Sequence, residues 1–340
     1  MNKLTKLGVT ALCGTLAAVS TASAGEMSVA GGVTATYATH DYGTTGNPLG
    51  MNTGLTFTGS GELDNGGTFT LSIGQTDQIG YDASSISYVS PSLGTFTYDE
   101  GAGTGLDRID DMIPTAWEET NGTSVGTGMQ TVAGAGGSTD IEWTAPSSML
   151  ADGMSLHFAY SPLPDGTKNI DKATGGATGG VTGSGWDLVV QHSGMLDGLN
   201  VFAGYSEIDQ KASALEKSGN RLGVAYGLTY ALGNVSAGYE YSKDNLRNIG
   251  HGAISFYENQ MYGISFAVND DLSISYGVAK SEQSKRTSVV TELDAHSFQV
   301  AYSMGGASIK LANTSVDHGN YDSSSATDRS GTTLAVSLAF

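Results

Sequence analysis

The chain has 340 residues, with 15 Lys and Arg against 34 Asp and Glu, and a formal net charge of −19. Such an acidic chain repels the phosphates of nucleic acids, which excludes nucleic acid as a partner. Its 49 glycines follow no collagen period, and its single cysteine excludes a disulfide framework.

The first 24 residues predict a secretory signal peptide. Two lysines precede an apolar run from Leu7 to Val19, and Ala22-Ser23-Ala24 has the small-residue pattern of a cleavage site. The run is too short to span a membrane as a helix, and the residue before Cys13 is not the small one expected of a lipoprotein cysteine. We therefore expect a mature chain of residues 25–340, which loses two lysines and carries a formal charge of −21 without cysteine.

From Met27 onward, apolar side chains recur at every second residue in short segments that polar turns separate. This period of two predicts β-strands with one apolar face and one small, polar face. No stretch of about 18 apolar residues follows the leader, which excludes a helical membrane protein. We count sixteen strands, around residues 29–37, 55–57, 69–73, 86–88, 96–98, 141–143, 156–160, 186–190, 199–205, 222–230, 235–241, 262–268, 272–278, 298–302, 307–311 and 332–340.

The connections between these segments are predicted to alternate strictly, one long and polar, the next tight. Asp64-Asn65-Gly66-Gly67 is an example of a tight turn, because Asn-Gly readily adopts positive φ. This asymmetry is typical of outer-membrane barrels, with long loops outside, short turns in the periplasm and both termini on the periplasmic side. Tyrosines at strand ends fit an interfacial girdle, namely Tyr37, Tyr160, Tyr205, Tyr230, Tyr241 and Tyr302.

The last segment, Arg329–Phe340, keeps the period of two up to a terminal aromatic residue. A terminal strand of a soluble sandwich is one interpretation. The ending also resembles the C-terminal signal strand of bacterial outer-membrane barrels, and that resemblance implies that the assembly machinery reads Phe340. The matching pattern at both chain ends predicts that Arg329–Phe340 pairs with Met27–Ala38.

As a whole, residues 25–340 resemble the general porins of Gram-negative bacteria, most closely the 16-stranded alphaproteobacterial type. The resemblance rests on the leader, the rhythm of strands and loops, a long third loop and the terminal Phe340. It implies an all-β fold, a 16-stranded antiparallel transmembrane β-barrel in the cell outer membrane with an inward-folded third loop. It also implies a homotrimer among outer-membrane lipids that passes small hydrophilic solutes and ions and requires no cofactor.

The resemblance implies that the third long loop, about residues 100–138, narrows the pore. It mixes apolar residues with six acids and one cation, so it could pack on the inner wall and show carboxylates to the channel. A disordered outer loop is the alternative, favoured in part by the glycine-rich stretch 122–137. The candidate constriction residues are Glu100, Asp107, Arg108, Asp110, Asp111, Glu118 and Glu119.

Strand parity assigns the pore wall, if aromatic and aliphatic side chains face lipid. The charged or titratable residues of the inward parity are Asp99, Glu142, His157, Asp187, Arg221, Glu240 and Lys310. The resemblance implies a basic cluster opposite the acidic loop, yet no Lys or Arg occurs between Met27 and Glu100. A constriction with carboxylates and few cations predicts a preference for cations.

Asp107, Asp110 and Asp111 predict a possible Ca²⁺ site, because clustered carboxylates repel one another unless a hard cation bridges them. No enzyme is predicted: the six histidines are scattered without zinc spacing, and no Gly-x-Ser-x-Gly elbow occurs. A general diffusion porin is therefore the predicted function. The alternatives are a substrate-selective porin, for which only His157 and Phe202 supply inward rings, and an adhesin or structural barrel.

Overall fold

The computed structural model describes residues 25, 27–41, 46–76, 80–100, 103–122, 125–164, 182–210, 217–287 and 289–339. The predicted signal peptide and Phe340 lie outside these residues. In the described ranges the chain forms sixteen strands. They are β1 (Met27–His40), β2 (Leu49–Glu62), β3 (Thr68–Thr76), β4 (Gly80–Ser90), β5 (Gly94–Asp99), β6 (Asp140–Thr144), β7 (Met154–Ser161), β8 (Thr182–His192), β9 (Leu199–Gln210), β10 (Arg221–Leu232), β11 (Val235–Asn245), β12 (Ile254–Ala267), β13 (Leu272–Lys285), β14 (Val290–Met304), β15 (Ala307–Asp317) and β16 (Arg329–Ala339).

The remaining regular elements are short 3₁₀ helices at Gly105–Ile109, Ser147–Met149, Gly319–Tyr321 and Ser325–Thr327. Among the described residues, no helix has the length and apolar character needed to cross a membrane.

Each strand pairs antiparallel with its neighbours in sequence, and β1 pairs with β16, so the sheet closes on itself. The closing register places Gly32 opposite Ala339 and His40 opposite Gly331. At one end of the β1–β16 pairing, the Asp41 carboxylate accepts hydrogen bonds from the Ser330 N–H at 2.6 Å and the Ser330 hydroxyl at 2.8 Å. The predicted sixteen-stranded barrel, closed by the last strand on the first, is confirmed.

The two faces of the wall follow the period of two. On β16, Leu334, Val336 and Leu338 are 41%, 41% and 50% exposed, whereas Thr333 and Ala335 on the other parity are buried. The same alternation places large apolar side chains outside on the other strands, for example Ile141 on β6 and Tyr226 on β10. Aromatic side chains on this outer face contact one another across strands, as in Trp186 with Tyr205, Tyr226 with Tyr241, and Tyr239 with Tyr262.

The predicted turn at Asp64–Gly67 is confirmed. Gly66 has φ 76°, and the Gly67 N–H donates to the Asn65 side chain at 3.0 Å. The predicted strict alternation of connection lengths is wrong. At the long-loop end β3 and β4 stay paired up to Thr76 and Gly80, so three residues separate these two strands. Residues 145–153, at the opposite end, hold a 3₁₀ turn and are longer.

Candidate functional site

The described residues between β5 and β6, namely 100, 103–122 and 125–139, are here called the β5–β6 segment. They are seated on the inward-facing side of the barrel wall. Leu106, Ile109 and Val132 of the segment form a buried apolar cluster with the inward side chains Val189 and Phe202 of β8 and β9. Leu106 and Ile109 are completely inaccessible to solvent. Burial of such side chains provides the main favourable free energy for holding the segment against the wall.

A second apolar cluster holds the middle of the segment. Ile113, Val125 and Met129 pack with inward residues of β12 to β15, among them Met261 and Leu293. The two clusters lie on different strands, so the segment runs across much of the inner wall. Glycine in the stretch 122–137 does not prevent this packing, because the apolar residues between the glycines reach the wall.

Glycines in the wall allow the segment to approach closely. A Cβ added at Gly263 of β12 would lie 2.3 Å from Ile113 Cγ2 and 2.8 Å from the Pro114 carbonyl oxygen. A Cβ added at Gly204 of β9 would lie 2.5 Å from Leu106 Cδ1. A side chain at position 263 would displace the backbone of the segment, and one at position 204 would displace the Leu106 side chain. Glycine at position 263 therefore sets the distance of the segment from the wall.

Asp187 on β8 is the principal polar anchor. Its carboxylate accepts hydrogen bonds from the backbone N–H groups of Leu106 at 2.9 Å, Ala135 at 2.9 Å and Gly136 at 2.8 Å. The side chain is completely buried, so these bonds satisfy a carboxylate that water cannot reach. Asp187 thereby joins the two ends of the segment.

Glu142 on β6 is a second anchor. It accepts a hydrogen bond from the Gly105 N–H at 2.8 Å and forms an ion pair with Arg108. His157 Nδ1 lies 3.4 Å from the same carboxylate and 2.9 Å from the Thr144 hydroxyl. Arg108 is therefore neutralised by a carboxylate of the wall.

Further polar contacts continue around the barrel. Gln299 on β14 accepts from the N–H groups of Trp117 and Glu118 and donates to the Glu118 carbonyl at 2.6 Å. Asn259 on β12 donates to the Gln130 carbonyl at 2.9 Å. Arg329 on β16 donates to the Gly126 carbonyl at 2.7 Å. Sequence analysis missed these anchors, although a large amide at an inward position among small residues was a signal for Gln299 and Asn259.

The inner face of β1 to β5 differs from the rest of the wall. Inward residues under the segment, such as Asp187 and Val189, are fully buried, whereas Thr34, Asn52 and Ser72 are half-buried or exposed. The inward positions of these early strands are mostly threonine, serine, asparagine and glycine. The described structure therefore leaves a space between the segment and a hydroxyl-rich wall that carries no Lys or Arg.

The acids of the segment differ in their surroundings. Asp111 and Glu118 are exposed, whereas Asp107, Asp110 and Glu119 are half-buried. Burial, together with the nearby Asp107 and Asp111, raises the pKa of Asp110 to about 7. Burial also raises the pKa values of Asp107, Glu118 and Glu119. The hydrogen bond from the Gly103 N–H partly offsets the rise for Asp107, and the charge of Lys310 partly offsets it for Glu118.

The residues predicted for the constriction do not share one position. Glu100 is buried at the base of the segment, where its carboxylate accepts from the Ser84 hydroxyl at 3.0 Å. Asp107 accepts from the Gly103 N–H at 2.8 Å, and Arg108 is bound to Glu142. Asp110, Asp111, Glu118 and Glu119 follow along the part that crosses β11 to β14.

The residues predicted for the pore wall all lie on the inward parity, but several are covered. Glu142, His157, Asp187 and Glu240 are buried, so they do not line open space. Glu142 and Asp187 hold the segment through its N–H groups, and Glu240 lies close to Met112 and Asp110. Arg221 binds Asp244 at 2.8 Å and 2.5 Å, which offsets its charge. Lys310 Nζ lies 5.9 Å from the ring centre of Trp117, and Asp99 is half-buried opposite Asp140.

The described residues contain no group of three or more His, Cys, Asp or Glu side chains arranged to hold a metal ion. The calcium site at Asp107, Asp110 and Asp111 stays a prediction.

Solved structures share this fold at low sequence identity. An OmpF of Salmonella typhi in complex with daunomycin matches with a TM-score of 0.68 and 12% identity, covering 93% of this chain and 98% of that chain. An anion-selective porin from Comamonas acidovorans has a TM-score of 0.65 and 17% identity, covering 93% of this chain and 100% of its own. The outer membrane channel DcaP of Acinetobacter baumannii has a TM-score of 0.63 and 11% identity, with coverage of 93% and 97%.

Comparisons with protein-family models and with curated protein sequences gave no match. The structural matches place the chain in the porin fold, and they show the fold alone. The ion that an individual pore prefers depends on the side chains inside it.

Proposed function

We propose that the protein is a general diffusion porin of the cell outer membrane, a passive channel for small hydrophilic solutes and ions. The observation that carries this proposal is a closed barrel with large apolar side chains outside and a polar inner face that encloses a space. Transmembrane barrels have this arrangement, because lipid faces the outer side chains and water faces the inner ones.

The outer surface supports a bilayer environment. Exposed apolar residues such as Leu228, Ile264, Phe298 and Leu334 lie on strands around the barrel. A soluble protein seldom exposes a continuous apolar surface of this extent. Interstrand aromatic pairs such as Tyr226 with Tyr241 fit the interfacial girdle that such barrels place at headgroup level.

We propose that the β5–β6 segment forms the constriction and that Asp111 and Glu118 are its main lumen charges. Both are exposed, and both belong to a segment that faces early strands without Lys or Arg. Among the described inward cations, Arg108 is bound to Glu142 and Arg221 to Asp244. Arg329 donates to the Gly126 carbonyl, and Lys310 lies near Trp117 and Glu118. The pore should therefore favour cations.

A general pore is favoured over a substrate-selective one. His157 and Phe202, the two inward rings that the sequence offered for a selective site, are buried under the segment. The early strands offer hydroxyl and amide groups, which hydrogen-bond to many solutes without favouring one charge. This composition supports a pore that selects solutes by their size.

The remaining assignments belong to the same proposal. We infer a homotrimer of alphaproteobacterial porin type among outer-membrane lipids, without catalytic activity or a required cofactor. Phe340 would be the signal for the barrel assembly machinery, so its deletion should reduce the amount that reaches the outer membrane.

Calcium binding on the segment is a further proposal. Asp107, Asp110 and Asp111 are close in sequence, and mutual repulsion would be relieved by a hard cation. Calorimetry with millimolar CaCl₂ should give a binding heat that is absent when all three are changed to Asn. No heat in the wild type would contradict a calcium site.

Liposome swelling with sugars of graded size tests the function. A general pore should give rates that fall smoothly with solute size and do not saturate. Saturation for one sugar would support the substrate-selective alternative. No swelling with any sugar, in protein that has folded and inserted, would favour a structural barrel.

A further inference from the structure

A polar cavity lies on the outside of the barrel at the end where β11–β12 and β13–β14 connect. Its volume is about 380 Å³, and its lining includes Arg247, Asn248, Ile249, Phe256, Lys285 and Arg286. We call it the rim pocket. It lies away from the β5–β6 segment, and the proposed pore makes no use of it.

The charge of the rim pocket is opposite to that of the protein. Three cations line it, and no Asp or Glu is among its described lining residues. Other cations of the same sector are paired: Arg221 with Asp244, Lys243 with Glu258 and Lys280 with Asp294. Among the described residues, Arg247, Lys285 and Arg286 form no such ion pair. Gathering like charges without a counterion is unfavourable, so this arrangement suits an anionic ligand.

The backbone around the rim pocket is held by hydrogen bonds between three connections. The Ser218 N–H donates to the Arg247 carbonyl at 2.9 Å, and the Arg286 N–H donates to the Ala253 carbonyl at 3.0 Å. Asn248 Nδ2 donates to the Ile254 carbonyl at 2.7 Å. These bonds hold the backbone at Arg247 and Arg286 in place before a ligand arrives, which lowers the entropic cost of binding.

Arg247 has an unusual backbone conformation for its residue type. Its φ is 55°, in the left-handed region, and its N–H donates to the Asn245 side chain at 3.1 Å. Such conformations cost free energy in residues other than glycine and are enriched at ligand-binding positions. The strain supports a role for the Arg247 side chain at this position.

One edge of the rim pocket is apolar and lies next to the outer surface of the barrel. Phe256 has the same strand parity as the outward Tyr262 and Ile264, and Lys243 Nζ lies 4.0 Å from its ring centre. Ile249 is 40% exposed. A ligand held here would meet cations on one side and apolar side chains on the other.

We propose that the rim pocket binds the phosphate of a membrane lipid headgroup. Guanidinium groups bind phosphate oxygens through paired hydrogen bonds, and two arginines with a lysine are enough to neutralise the charge of a phosphomonoester. The apolar edge accommodates the start of the acyl region, which favours a lipid over a small free anion. Inorganic phosphate offers the same phosphate oxygens as the lipid headgroup, and the experiment distinguishes the two ligands.

The test measures binding to the full-length, detergent-purified protein by native mass spectrometry. One arm uses mixed micelles with phosphatidic acid against the same micelles with phosphatidylcholine. A second arm uses sodium phosphate against sodium chloride at equal ionic strength. The variant is Arg247→Gln with Arg286→Gln, and Lys280→Gln with Lys310→Gln is the control with the same change in net charge outside the pocket.

Phosphatidic acid should bind in preference to phosphatidylcholine, and the pocket variant should lose roughly thirtyfold in affinity while the control keeps it. Arg286→Gln alone changes an exposed residue and should lose roughly fivefold in affinity for phosphatidic acid. This single variant tests the site if the double variant fails to fold. Binding of phosphatidic acid without inorganic phosphate supports the lipid source. Equal binding of inorganic phosphate overturns the lipid assignment.

Equal affinity for phosphatidic acid in the wild type and the pocket variant overturns the site altogether. These measurements do not depend on conduction. A protein that conducts but binds no phosphate contradicts this inference alone, and one that binds phosphate but passes no sugar contradicts the proposed function alone.

Discussion

Single carboxyl groups in this protein have opposite roles according to their burial. Asp187 is fully buried and accepts three backbone N–H groups, so its charge is compensated. Asp110 is half-buried beside other acids, which makes its charged form unfavourable. Asp111 is exposed to solvent. The same residue type thus anchors the β5–β6 segment, titrates within it or supplies charge at its surface.

Changing Asp187 to Ala should release the β5–β6 segment from the wall. Each hydrogen bond to a charged acceptor contributes about 1.5–3 kcal/mol, and three buried N–H groups would lose their partner. Trypsin should then cleave after Arg108, the segment's one cation, faster than in the wild type. Asp152→Ala, at an exposed acid outside the segment, is the control. Equal cleavage rates for Asp187→Ala and Asp152→Ala would argue against an anchoring role.

Asp110 should make the folded protein less stable as pH rises from about 4 to 7. Because its pKa is raised from 3.8 to about 7, the folded state holds the proton more tightly than the unfolded state. The resulting stabilisation is complete below the unfolded value and is lost as the pH approaches the folded value. Asp110→Asn should show a smaller drop in melting temperature between pH 5 and pH 8. The same drop in both proteins would contradict this.

At the scale of elements, the segment and the wall fit because glycines occupy the contact positions. A Cβ at Gly263 would come within 2.3 Å of Ile113, whereas one at Gly59 on β2 would meet nothing within 4 Å. Both are strand glycines, so the same substitution at the two positions separates the contact with the segment from the effect on strand conformation.

Gly263→Ala should destabilise the seated segment by about 1–3 kcal/mol, as overpacking of a closely packed contact does. Trypsin cleavage after Arg108 should accelerate, and single-channel currents should become unsteady because the segment no longer has one position. Gly59→Ala should leave both properties unchanged. Steady currents and wild-type cleavage in Gly263→Ala would mean that the glycine does not set the position of the segment.

The strands could be predicted from sequence because each carries its own period of two. All sixteen were found, together with their closure, since alternation on β1 and β16 is local information. The length of connection 77–79 could not be predicted, because it depends on how far β3 and β4 stay paired. The burial of Glu142 and Asp187 was also missed. Parity shows which side a residue faces, but only the three-dimensional contacts of Leu106 and Arg108 show what covers it.

At the scale of the whole molecule, the distribution of charge is the central feature. The early strands carry no Lys or Arg, and the segment opposite them exposes Asp111 and Glu118. A transverse field between acidic and basic walls is therefore not expected. Where an ion passes these carboxylates at a separation below the Debye length of about 8 Å at physiological salt, screening of their charge is incomplete.

The reversal potential under a KCl gradient across a planar bilayer tests this account most directly. We expect a sign that indicates K⁺ preference, weakened when Asp107, Asp110 and Asp111 are all changed to Asn. Because Asp111 and Glu118 are the exposed acids, Asp111→Asn with Glu118→Gln should weaken it at least as much. An unchanged potential in both variants would mean that the segment does not line the pore. Chloride preference in the wild type would contradict the account.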